Sequence, residues 1–152
     1  MKKLLLAVAM FFVTSMAVGQ TSLDAKVMEL AKQTYKAMKV GDNAKIMQAE
    51  TAAMAYYATL SSTNKEKFEQ ALVVAFAELE AIDAVGAAKV AVVKAKATDT
   101  ANKLVAAFNA NNIAKAEQYG VEAEKYLKTL SEKEVVLFTS IVEKIGAAAG
   151  LK

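Results

Sequence analysis

Three observations on this 152-residue chain predict an all-α fold, a compact bundle of about six helices built from two similar three-helix repeats. The sequence has no proline and is rich in alanine, lysine, glutamate, methionine and leucine, the residues that lose least on entering a helix. Its apolar residues recur in steps of three and four rather than two. The stretch Tyr56-Tyr57-Ala58-Thr59-Leu60-Ser61 returns seventy residues later as Tyr126-Leu127-Lys128-Thr129-Leu130-Ser131, with Phe68 and Phe138 at the same separation. Carried back without gaps, the offset also pairs Lys26 with Lys96, Lys45 with Lys115 and Gln48 with Gln118. Alanine and lysine matches carry little weight in so biased a composition. The fixed order of Gln, Tyr, Thr, Leu, Ser and Phe is what marks one supersecondary unit used twice.

The first helix is predicted over residues 23 to 39, with Leu23, Val27, Leu30, Thr34 and Met38 on one stripe. Gly41-Asp42-Asn43 stops it and caps the next. The second covers residues 44 to 60, with Ile46, Ala53, Tyr57 and Leu60 facing inward and Met47 and Met54 beside them. Thr63 and Glu66 form a candidate capping box for the third helix, whose stripe is Phe68, Leu72, Ala75, Leu79 and Ile82. After Asp83 and Gly86, the β-branched run Val90-Ala91-Val92-Val93 has strand character. A lone strand would have no partner in a helical chain, so a fourth helix is predicted over residues 87 to 108, with Thr98-Asp99 as candidate caps for a re-initiation. Ile113, Ala116, Gly120, Ala123, Leu127 and Leu130 form the seam of the fifth. A glycine inside a helix costs about 1 kcal/mol relative to alanine, which points to close approach of a neighbouring helix at Gly120. Ser131 and Glu134 form a second capping box, opening a sixth helix with the stripe Val135, Phe138, Val142 and Ile145. Leu60 and Leu130 close their stripes at equivalent corners, so both should be buried.

Residues 1 to 19 read as a secretory signal peptide. Lys2 and Lys3 are the basic start, an apolar run follows, and Ala17-Val18-Gly19 is a small-x-small cleavage site before Gln20. The run is shorter than the roughly 20 residues needed to span a bilayer, so no stable membrane insertion is expected after its removal. The expected product is an exported protein, periplasmic or extracellular, with one helical domain over residues 20 to 152 and repeats at about 22 to 86 and 92 to 150. Loss of Lys2 and Lys3 leaves 17 basic residues against 16 acidic ones, which is no nucleic-acid footprint. The chain has no cysteine, so its stability must come from packing rather than from disulfides.

Composition excludes whole classes of chemistry. The sequence contains no histidine, cysteine or arginine. Nucleophilic triads lack their imidazole, structural zinc lacks its ligands, and carboxylate or phosphate lacks a bidentate clamp. No phosphate-cradling glycine loop is present, and neither a cofactor nor a metal site is expected. Paired carboxylates are the surviving acid–base candidates: Glu66/Glu69, Glu78/Asp83 and Glu132/Glu134. Charges so spaced are ordinarily a solvated helix face, and the chain is expected not to be an enzyme. Two features remain for binding a partner or ligand. Tyr56 and Tyr126 are equivalent in the repeats and sit at the edge of apolar stripes, where a ring can be buried with its hydroxyl in water. Met47 and Met54 could line an apolar groove. The leading expectation is a non-enzymatic protein acting through contact with an unknown protein partner or by self-association. The alternative is a carrier of an apolar ligand or lipid between the repeats.

Overall fold

The computed structural model describes residues 20–151, so the predicted leader and its cleavage site lie outside the described residues. Six α-helices follow in chain order: α1 Gln20–Val40, α2 Asn43–Ala58, α3 Ser62–Val85, α4 Ala87–Asn109, α5 Ile113–Leu127 and α6 Glu132–Ala148. Among the described residues there is no strand. The run at 90–93 is helical, with Val90 and Val93 buried and Ala91 and Val92 outward. α4 also passes through Thr98-Asp99 without a break, so the proposed re-initiation there does not occur. Asp99 instead pairs with Lys103 one turn on, at 2.8 Å.

The corners explain the helix boundaries. At the end of α1, Gly41 takes a φ of 69°, its N–H bonds to the Met38 carbonyl, and the Asp42 N–H reaches back to Ala37. Asp42 then accepts the Lys45 N–H at 3.1 Å, capping α2. Seventy residues later Asn111 takes a φ of 51°, with bonds from Asn111 to Phe108 and from Asn112 to Ala107, and Asn112 accepts the Lys115 N–H at 3.1 Å. Asparagine can stand where glycine does because its short polar side chain tolerates the left-handed region.

The Thr-Leu-Ser corners also correspond. The Thr59 hydroxyl donates to the Tyr56 carbonyl at 2.6 Å, and that of Thr129 to Tyr126 at 2.7 Å. α3 starts earlier than predicted, because Ser61 rather than Thr63 is its cap: the Asn64 N–H donates to Ser61 Oγ at 3.3 Å. Thr63 and Glu66 are thereby drawn into the helix. The second box is as predicted, with Glu134 accepting the Ser131 N–H at 2.8 Å and its hydroxyl at 2.7 Å. Those bonds hold the Glu134 carboxyl below its usual range.

Contacts divide the chain into two compact units that meet inside α3, one ending at Phe76 and the other beginning at Ala77. In the first unit α1 packs on α2. Its buried residues include Leu23, Val27, Leu30 and Ala31 from α1, Ala49, Ala53 and Tyr57 from α2, Leu60 from the corner, and Phe68, Ala71, Leu72 and Ala75 from α3. In the second unit α4 packs on both α5 and α6. Its core includes Val90, Val93, Ala97 and Ala101 of α4, Ala116 of α5, and Leu137, Phe138 and Ile141 of α6. The last turns of α3 are tied in by Glu78 to Lys94 at 2.8 Å and by Glu80 to Lys133 at 2.6 Å.

Several expected core positions differ. Leu137 and Ile141 are buried, whereas Val135, Val142 and Ile145 are half-buried, so the inner face of α6 is rotated from the predicted stripe. Met47, expected beside the inner face of α2, is on the surface, and Ala49 is buried while Ile46 is only half-buried. Leu60 is wholly buried but Leu130 only partly, so the two corners are not packed alike. The close approach expected at Gly120 is also absent, since a Cβ built there meets nothing within 4 Å.

Candidate functional site

Aromatic rings mark each unit at the corner preceding its last helix. Tyr56 and Tyr57 stand one turn before Ser61, and Phe68 lies two turns inside α3, so a reversal at the corner brings the three rings together. The centroid of Phe68 is 6.0 Å from that of Tyr56 and 5.4 Å from that of Tyr57, with tilted and edge-on geometry. Tyr57 is 7 % exposed, and its hydroxyl donates to Glu69 Oε1 at 2.7 Å. Burial first, and then that carboxylate, push the Tyr57 pKa up to about 12. The Lys65 ammonium lies 5.1 Å from the same ring.

Tyr56 departs from expectation. Its hydroxyl is enclosed without a hydrogen-bond partner rather than open to water. An enclosed, unpaired hydroxyl costs about 1 to 3 kcal/mol. Burial raises its pKa, partly offset by the positive charge of Lys26. Met47 is 67 % exposed and Met54 half-buried. Seven residues apart, they share one side of α2.

Tyr126 belongs to the second unit, where its ring meets Phe138 at 5.6 Å and takes the Lys96 ammonium at 5.7 Å. Burial, and then the Glu134 charge, raise its pKa. Beside it, Lys96, Asp99, Thr100 and Lys103 of α4 face Tyr119 and Glu122 of α5 across a shallow depression. Lys103 is shared between Asp99 and the Tyr119 ring, at 2.8 and 6.0 Å, and the carboxylate raises its pKa. In the first unit Leu30, Ala49 and Ala52 hold the places of Thr100, Tyr119 and Glu122.

One carboxylate of each nominated pair is engaged structurally. Glu69 receives Tyr57, Glu78 receives Lys94, and Glu134 closes the α6 cap. Among the described residues no three His, Cys, Asp or Glu side chains gather where they could hold a metal ion. The Tyr57–Glu69 bond was hidden in the sequence because its partners are twelve residues apart, across a corner. The lysine over Tyr126 had one signal, since Lys26 and Lys96 share the seventy-residue offset with Tyr56 and Tyr126. No family model, no curated protein and no solved structure matches the chain.

Proposed function

We propose that the chain is an exported, non-enzymatic protein, built from two copies of one three-helix unit, that acts through contact with a protein partner or with a second copy of itself. The observation that carries this reading is the set of large apolar side chains left outward: Val40 and Met47 at the first corner, Phe108 and Ile113 at its counterpart, and Val73, Val92 and Val121 along the helices. They offer faces to bind with, in a sequence that has no imidazole, thiol or guanidinium to do chemistry with. The duplicated unit is supported by the paired caps at Asp42 and Asn112 and by the paired Tyr–Phe contacts at the two corners. Export rests on the leader-like residues 1 to 19. Among the described residues no helix is long and apolar enough to cross a membrane.

The second reading, an apolar-ligand carrier, draws on Met47 and Met54 sharing one side of α2. The depression in the second unit does not favour it, because charged and hydroxyl side chains line it. Native mass spectrometry of the exported protein separates the readings. A discrete oligomer or a stoichiometric protein partner supports contact; a strict monomer that carries copurifying lipid supports the carrier. Intact mass should place the N-terminus at Gln20, and retention of residues 1 to 19 would remove the export reading.

A further inference from the structure

We infer that α5 is a detachable helix, opening from α4 and α6 as a local unit while the other helices stay folded. α2 and α5 hold corresponding places in the sequence, yet α2 buries Ala49, Ala53 and Tyr57, and α5 buries Ala116 alone. Position by position, Ala53, Tyr57 and Leu60 are buried, while Ala123, Leu127 and Leu130 are only half-buried. Ile113 and Val121 are 53 % and 51 % exposed. Within the helix, Gly120 weakens the backbone and is compensated by no close packing.

The attachments differ as well. α2 is joined to α3 by the Tyr57–Glu69 hydrogen bond and two ring contacts on Phe68. Across α5, the side-chain ties include the Tyr126–Phe138 ring contact, two lysines, Lys96 and Lys103, resting on tyrosine faces from exposed positions on α4, and the attraction between Lys103 and Glu122. Such exposed cation–ring contacts are weak, and Lys103 can remain on Asp99 when Tyr119 leaves. Local opening is drawn from segments with few buried apolar contacts, and α5 fits that description. Its departure would uncover Thr100 of α4 and the ring of Phe138. This opening concerns the folded chain itself and is independent of what the protein binds.

Hydrogen–deuterium exchange on the intact chain tests it. Amides in the last two turns of α5 should be at least tenfold less protected than those in the last two turns of α2. Gly120→Ala should raise protection severalfold in α5 and leave α1, α2 and α3 unchanged. Protection in α5 within threefold of α2 would overturn the inference. So would a Gly120→Ala effect spread evenly over all helices, because α5 would then open only when the whole chain unfolds.

Discussion

Truncating Leu60 and Leu130 probes the packing at two corners that look alike in sequence. Leu60 is wholly buried, so Leu60→Ala removes a fully desolvated side chain and leaves a hole that its neighbours can close only in part. The expected loss is about 2 to 5 kcal/mol, the transfer and cavity contributions together. Leu130 is half-buried, and a truncation there opens to solvent. Only part of the transfer contribution applies, about 1 to 2 kcal/mol. With a urea slope of about 1 to 3 kcal/mol per molar, the two midpoints should differ by roughly 1 M. Equilibrium unfolding followed by circular dichroism measures this, with Lys36→Ala and Lys125→Ala as exposed controls. Equal losses at the two leucines, or a larger one at Leu130, would refute the claim that the second corner is less tightly closed.

The same substitution at two glycines should act with opposite sign. Gly120→Ala, in open space within a helix, should stabilise by about 0.5 to 1 kcal/mol, whereas Gly86→Ala should cost about 1 to 3 kcal/mol, because φ 90° and ψ 157° suit glycine alone. Thermal melts of the two variants check both. Tyr57 should be a late tyrosine to ionise in an alkaline spectroscopic titration, near pH 12. Its folded pKa lies above the unfolded value of 10.0, so its contribution is complete below that pH and is lost as pH rises toward about 12; Tyr57→Phe should flatten this part of the stability curve. Glu134 runs the other way, its folded pKa being depressed below 4.5. Glu134→Ala should cost about 1 kcal/mol at neutral pH, and the gap to the parent should close as pH falls below 4.5 through the depressed value.

Helix positions were legible because their determinants are local. Gly41 and Asp42 stop one helix and start the next within two residues, and Asn111 and Asn112 do the same. Ser131 and Glu134 declare a helix start through bonds spanning three residues. Two starts differ from the prediction: α1 begins at Gln20 rather than at residue 23, and α3 begins before Thr63 because Ser61 offers an equally local cap two residues earlier and the backbone took it. Beyond the carboxylate pairs, the sequence offered only exclusions for chemistry, since the absence of imidazole, thiol and guanidinium is a property of composition alone.

Side-chain burial was decided by tertiary structure, because a helical stripe defines a direction and does not say what lies opposite it. The seam of α5 has the most regular period in the chain, yet Ala116 is its one buried residue within the helix, while the less regular α2 buries three. Gly120 looked like a point of close approach and faces open space. Tyr56 and Tyr126 occupy matching positions, but only Tyr56 has its hydroxyl enclosed without a partner. Sequence alone determined where the backbone turns and which reactive groups exist. Which leucine is sealed, which tyrosine finds a carboxylate, and which helix is weakly held depended on residues far apart in the chain, whose meeting no local pattern encodes.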